Sequence, residues 1–226
     1  MKTLNNFFDN IYCINLPEST DRWEEVIKEF AKHIIIVERF EAINGKLFFK
    51  EGLNRNAGFY GLVLTNIKVF EDAIKKGYKR ILILEDDIYF TENVNEKFWN
   101  KIHYLPDDWK MLYLGGNSQF TWAKFDILSG NKNIEITKEN YNTFDYEIVR
   151  TRHTQSTFAI GYNCNIFVDF LERIKNLRYA LDVLQPQLQK TRYNTYIFLP
   201  TLVKHKNGYS IVTETYCDYD SPANNW

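Results

Sequence analysis

The run Ile81-Leu82-Ile83-Leu84 breaks off in three consecutive carboxylates, Glu85-Asp86-Asp87. An unbroken apolar run of strand length has no polar side to give to water, so it belongs in the middle of a sheet covered on both faces. The residues before it support that placement. Between Gly58 and Gly77, the positions Leu62, Ile67, Phe70, Ala73 and Ile74 repeat at helical spacing. Glu71 and Lys75 stand four apart, the spacing of an ion pair, and Gly77 follows where glycine ends helices. A helix leading into a central strand is the building unit of α/β proteins with a mostly parallel sheet flanked by helices.

Other segments extend the pattern. Ile11 to Leu16 is rich in strand formers and stopped by Pro17, which cannot donate to a ladder. Asp21 and Glu24 resemble a capping box, with Trp23, Ile27, Phe30 and Ala31 at helical spacing, which predicts a helix from about Asp21 to Lys32. Ile34 to Phe40 is continuous and β-branched and is expected to be a buried second strand, leaving through a turn over Glu41 to Gly45. Met111 to Leu114, Thr157 to Gly161 and Tyr196 to Leu199 read as strands, and Asn163 to Leu177 and Asp182 to Lys190 as helices. Asn117 to Asp145 is polar and aromatic without period, as a rim loop would be. No repeat or linker divides the chain, so one domain over 1–226 is expected, with halves at 1–116 and 117–226.

Composition narrows the function classes. With 28 Lys plus Arg against 29 Asp plus Glu, the net charge is −1, which leaves no basic footprint for nucleic acid. Three scattered cysteines, Cys13, Cys164 and Cys217, suggest neither a disulfide framework nor a Cys-based zinc site, and fit a reducing compartment. The amino terminus has no apolar core of a signal peptide and no run is long enough to span a bilayer. A cytoplasmic location is expected, compatible with peripheral attachment to a membrane. The abundance of Asn, Lys and Ile suits an AT-rich genome, bacterial or viral.

The chemistry concentrates where the central strand stops, because open α/β sheets bind ligands beyond the carboxyl ends of their strands. If strand alternation persists through the triplet, Glu85 and Asp87 project to one side and Asp86 to the other. Two carboxylates on one side suit Mg²⁺ or Mn²⁺, which takes oxygen ligands and keeps positions for phosphate oxygens. Like charges packed this closely repel unless a cation or basic group neutralises them. A solvated acidic turn is the structural alternative. Arg22, near the end of the first strand, presents a fork of donors to a diphosphate, or is an exposed helix-start arginine. Asn15 and Asn44 at two strand ends can bond a base or ribose, or satisfy turn backbone. His205 can complete a metal shell, or lie on the surface.

Taken together, these residues resemble glycosyltransferase family 25, which contains bacterial lipooligosaccharide sugar transferases and procollagen galactosyltransferase domains. The resemblance rests on Ile14-Asn15-Leu16-Pro17 with Asp21-Arg22, Arg39 through Ala42 to Gly45, and Gly58 and Gly61 leading to Glu71-Asp72-Ala73-Ile74. Its most specific block is Gly77-Tyr78 with Ile81 to Ile88. Thr157-Phe158-Ala159, Gly161-Tyr162, Asp182, Pro200 and Gly208-Tyr209-Ser210-Ile211 follow in the family's order. Where the family commonly has Ser-His, this chain has Thr65-Asn66, and the acidic residue often found after the late serine is missing.

The resemblance implies a GT-A fold, with a Rossmann-like nucleotide-binding half, a carboxylate motif holding a metal, and an acceptor-binding carboxyl-terminal half. On that basis the expected donor is a UDP-hexose, galactose or glucose, and the expected acceptor is a hydroxyl of a glycan or glycosylated protein, with inversion at the anomeric carbon. Asn15, Leu16, Arg22, Asn44, Gly45, Thr65, Asn66, Glu85 and Asp86 are the expected donor contacts. Asp87, Glu85 and His205 are the expected ligands of Mn²⁺ or Mg²⁺. Trp122 and Thr157 are expected on the acceptor. Asp182 is the candidate base, with a helix cap as its alternative role. A domain that keeps the fold and binds a sugar nucleotide, glycan or partner protein without catalysis is the rival reading.

Overall fold

A computed structural model describes residues 1–47, 56–118, 126–127 and 145–219 of the chain. Its first half runs β1 (Asn10–Asn15), α1 (Thr20–Lys32), β2 (Glu38–Glu41), α2 (Ala57–Lys76), β3 (Arg80–Glu85), β4 (Ile88–Phe90), α3 (Val94–Lys101) and β5 (Met111–Ser118). The remainder adds β6 (Asp126–Ile127), β7 (Glu147–Thr151), β8 (Thr154–Asn163), α4 (Phe167–Lys175), α5 (Leu181–Thr191), β9 (Thr195–Leu199), β10 (Val203–His205), β11 (Gly208–Ser210) and β12 (Thr215–Cys217).

Eight strands form one sheet in the order β2-β1-β3-β8-β5-β9-β7-β6. β1 pairs in parallel with β2 and β3, and β5 with β9, while β8 and β7 run against the other six. The expected mostly parallel α/β sheet flanked by helices is thus the one observed. β8, from the second half of the chain, is inserted between β3 and β5 of the first.

Alternation along the strands divides the core into two layers. Ile81 and Ile83 face α2, α4 and α5 with Tyr12, Tyr113 and Tyr162, while Leu82 and Leu84 face α1 and α3 with Cys13, Leu112 and Phe198. α2 ends as its sequence predicts, on Gly77 in the left-handed region at φ 71°. Its ion pairs differ from expectation. Asp72, not Glu71, makes the i to i+4 pair, with Lys76 at 2.8 Å, and Glu71 meets Lys68 and Lys175.

The second strand is a correction. β2 starts only at Glu38, and Ile34 and Ile36 are 61% and 76% exposed. The reason is local. The Asn5 side chain donates to the Ile36 carbonyl at 2.7 Å and accepts from its N–H at 2.9 Å, so this backbone is satisfied off the ladder. Only Ile35 of the three enters the core. The first helix is likewise capped at Ser19 rather than Asp21, which sits in its first turn. Most of the segment from 117 to 145 lies outside the described residues. No helix among the described residues is long and apolar enough to cross a membrane.

Candidate active site

β3 delivers Glu85 to a bend at Asp86 and Asp87 before the chain enters β4. Glu85 continues the Ile81–Ile83 face and accepts a hydrogen bond from Thr157 Oγ1 of the neighbouring β8 at 2.6 Å. Asp86 turns to the opposite side. It accepts from Arg22 Nη1 at 2.8 Å and from Asn15 Nδ2 at 2.6 Å. Asp87 returns to the Glu85 side, where Glu85, Asp87 and His205 each present one ligand atom, all within 4.8 Å of one another. Glu85 and Asp87 thus converge with His205 while Asp86 is held by Asn15 and Arg22, although Arg22 Nη1 also lies 3.5 Å from Asp87 Oδ2.

His205 reaches this place because β10 pairs antiparallel with β4, setting His205 opposite Ile88. Its ring lies between Phe158 and Tyr219, with centroids at 3.9 and 4.4 Å. Its Nε2 is 3.7 Å from Asp87 Oδ1, and both atoms are buried without a hydrogen-bond partner. Buried polar atoms are normally satisfied, so two orphans facing one another call for a shared third partner.

The electrostatics agree. Burial raises Glu85 to about 8, with the Asp87 charge next in weight and the Thr157 bond opposing. Burial likewise raises Asp87 and Asp86 against the pull of Arg22. Burial, and then the Arg22 charge, lowers His205 to about 3, so its imidazole stays neutral. Carboxylates held unfavourably as anions beside a neutral imidazole form a donor set that fits Mn²⁺ or Mg²⁺.

A cleft opens beside the triplet, and Asn15, Leu16, Arg22, Asn44, Gly45, Thr65, Glu85, Asp86 and Asp87 all line it. Its floor depends on two glycines. A Cβ on Gly45 would lie 1.8 Å from the Ala57 carbonyl oxygen, and one on Gly61 would lie 2.4 Å from that of Ile43, so loop and helix touch backbone to backbone. Thr65 fixes the same contact, donating to the Gly61 carbonyl and accepting from the Ile43 N–H, each at 2.8 Å. Asn66 is buried, donates to the Leu62 carbonyl at 3.0 Å and does not line the cleft.

Other expected contacts are occupied by the protein itself. The Asn15 amide donates to Asp86 and Ser19 and accepts from Arg39 Nε and Nη2 at 3.0 and 2.5 Å. Asn44 donates to Glu18 and accepts from the Lys46 N–H, serving its own turn. Arg22 also donates to the Tyr209 carbonyl at 2.6 Å, so it is no exposed helix-start arginine. Asp182 stands in the first turn of α5, whose cap is Ala180, which removes the capping role. Its Oδ1 is buried without a partner, burial raises its pKa, and its charge contributes to raising Glu85. Thr157, expected on the acceptor, donates to Glu85. Trp122 lies outside the described residues.

Arg39, which stacks on Trp23 at 4.9 Å while holding Asn15, and the cleft wall at Ser210 to Val212 enter the sequence reading only as parts of the family resemblance, with no role of their own. Both pairings cross long sequence separations that no spacing rule covers.

Comparison with known proteins gives the family. A family model described as glycosyltransferase family 25 (LPS biosynthesis protein) matches residues 58–185, more than half of the chain. The chain belongs to glycosyltransferase family 25. Human procollagen galactosyltransferase 2 is 23% identical over 129 residues, covering 48% of this chain and 21% of that protein. A Haemophilus influenzae protein named as a glycosyltransferase is 27% identical over 143 residues, 58% of this chain and 50% of that one. Human inactive glycosyltransferase 25 family member 3 is 22% identical over 163 residues, 62% of this chain and 27% of that protein. The chain thus spans between about a fifth and a half of the length of these family 25 relatives. A solved structure of a glycosyltransferase involved in glycosylation of the major capsid of PBCV-1 superposes with a TM-score of 0.45 at 12% identity, covering 89% of this chain and 93% of that one.

Proposed function

We propose that this chain is a metal-assisted glycosyltransferase that moves a hexose, galactose or glucose, from a UDP-sugar to a hydroxyl of a glycan or glycosylated protein, with inversion. The observation that carries the reading is the convergence of the half-buried Glu85, Asp87 and His205 beside a cleft, in a chain of family 25. Glu85, Asp87 and His205 would hold the cation, Mn²⁺ or Mg²⁺, whose chemistry is to offset the charge of the leaving diphosphate. Leu16, Gly45 and Thr65 line the same cleft, where uracil and ribose are accommodated. Asn15 steadies Asp86, and Asp86 holds Arg22, whose guanidinium meets diphosphate oxygens.

Inversion is a single in-line displacement. The acceptor oxygen forms its bond to the anomeric carbon as the bond to the UDP oxygen breaks, and the acceptor proton passes to the Asp182 carboxylate. Burial suits Asp182 to this task, because a carboxylate with a raised pKa is a stronger base. Asp182→Asn is expected to lower turnover by roughly 10² to 10⁴ without weakening UDP binding.

The rival reading, a non-catalytic member, draws on the resemblance to a human relative named inactive. One experiment separates them. UDP should raise the melting temperature in the presence of Mn²⁺ or Mg²⁺ and not in EDTA, and UDP should be released from UDP-galactose or UDP-glucose. Binding of UDP that ignores the cation would overturn the metal role. Cation-dependent binding without release of UDP from either donor would favour the non-catalytic member.

A further inference from the structure

Asp182, Gln185 and Gln189 fall at i, i+3 and i+7 on α5, one stripe of a helix whose neighbouring buried residues are Leu181, Leu184 and Leu188. Both glutamines are buried in that apolar layer, where leucine would cover the sheet without any polar cost. They are instead fully engaged. Tyr113 Oη donates to Gln185 Oε1 at 3.0 Å, and Gln185 Nε2 donates to Tyr162 Oη at 2.9 Å. Gln189 Nε2 donates to Tyr113 Oη at 3.0 Å and to the Thr154 carbonyl at 2.7 Å, and Gln189 Oε1 accepts from the Thr154 N–H at 2.7 Å.

Tyr162 and Thr154 belong to β8, the strand whose Thr157 bonds Glu85. The network therefore links α5 to the strand that also orients the acidic cluster. A second feature makes the link necessary. Pro186 lies inside α5 and has no N–H for the Asp182 carbonyl four residues earlier, and its ring crowds that carbonyl. The first turn of α5 thus lacks one of its own fastenings at the residue that bears the carboxylate. Apolar packing is non-directional and lets a helix slide, whereas hydrogen bonds of fixed geometry do not.

We propose that Gln185, through Tyr113 and Tyr162, is a positioning residue that holds the loosened first turn of α5 so that Asp182 faces the acidic cluster, with Gln189 bracing Tyr113 from behind; the catalytic meaning of this rests on the reading of Asp182 as the base. The test uses the triple variant Gln185→Leu, Tyr113→Phe, Tyr162→Phe, which removes the amide–phenol links together and so leaves few buried orphans. UDP release from UDP-galactose or UDP-glucose is compared with Mn²⁺-dependent UDP affinity and melting temperature. A displacement of about 1 Å costs on the order of 100-fold, so turnover should fall about 10- to 100-fold with donor KM and UDP affinity within about twofold. Added to Asp182→Asn, the triple change should cause no further loss, since it acts through the same carboxylate.

Full turnover in the triple variant, beside a crippled Asp182→Asn, would overturn the positioning role alone. Losses that multiply in the combined variant would also overturn it, because they would mark an independent structural effect. If Asp182→Asn turns over as the wild type does, or the wild type releases no UDP, the catalytic reading fails. The crystal structure of the triple variant then decides the remainder: an Asp182 carboxylate moved by about 1 Å supports the network's hold on it, and one superimposed on the wild type overturns it.

Discussion

Asp86 and Asp87 share Arg22 Nη1, at 2.8 and 3.5 Å, but only Asp86 is hydrogen-bonded by Asn15 and only Asp87 faces His205, so substitution should separate their roles. Asp87 Oδ1 faces His205 with no hydrogen bond of its own, and Oδ2 meets only Arg22, at 3.5 Å, so Asp87→Ala removes one long ion pair and little else that holds the fold. That variant should lose cation-dependent UDP binding by calorimetry and keep a cooperative melt. Asp86 accepts from Asn15 and Arg22, both at hydrogen-bond distance. Asp86→Asn should therefore cost about 1–3 kcal/mol of stability and weaken UDP binding through Arg22, while changing Mn²⁺ affinity little. Glu85 adds a pH dependence. Its proton is held more tightly in the folded chain, with a pKa of about 8 against an ordinary 4.5. The stability it contributes is complete below about 4.5 and is lost as pH rises through about 8. A cation competes for the same oxygens and binds the ionised form. Thermal melts in EDTA and in Mn²⁺ should diverge as pH rises from 5.5 to 8.5; an equal Mn²⁺ effect at both ends would remove Glu85 from the metal's ligands.

At the scale of elements, the Gly45 and Gly61 contact is the narrowest fit in the site. A Cβ on Gly61 would meet the Ile43 carbonyl oxygen at 2.4 Å and Gly45 N at 2.7 Å, and backbone cannot swing aside as a side-chain tip can. Gly61→Ala should destabilise by about 1–3 kcal/mol. For a chain of this length that lowers the melting temperature by about 2 to 12 °C, and UDP affinity should fall with it because the loop from Ala42 to Lys46 is cleft wall. An unchanged melt would mean that loop and helix do not touch. The elements whose signals are local, α2 with Gly77 and the strand ending in Glu85, were legible from sequence because period and punctuation lie within one short window. The pairing of Glu85 with Asp87 at His205 follows the alternation that a single strand shows, but the Arg22 contact shared by Asp86 and Asp87 joins residues more than sixty positions apart. The hold of Arg39 on Asn15 and the pairing of β10 with β4 were not legible, because each joins distant segments. Ile34 to Ile36 misled for a related reason: their strand-like composition was outweighed by bonds to Asn5, about thirty residues earlier.

Across the whole molecule, the last described segment is fastened to the site from both sides. Arg22 donates to the Tyr209 carbonyl, Asn56 donates to the Val212 carbonyl at 2.6 Å, and a Cβ on Gly58 would lie 2.6 Å from Val212 Cα. The hairpin of β11 and β12 thereby spans the cleft between the start of α1 and the start of α2, and Tyr219 beyond it covers His205. Its own residues add little to the core: Tyr209 and Tyr216, which pair across the hairpin, are 56% and 73% exposed. Ending the chain after Asn207 should therefore leave the eight-stranded sheet folded, with a melting temperature lowered by only a few degrees, since exposed residues away from buried contacts contribute little to stability. Function should suffer more. The truncated chain loses Ser210 to Val212 from the cleft wall and the aromatic cover of a metal ligand, so UDP affinity in Mn²⁺ should fall at least about tenfold, a change of about 1.4 kcal/mol. Calorimetry on the truncated chain reads both quantities. Retained affinity would show that the hairpin is no part of the site, and a collapsed melt would show that it is part of the fold.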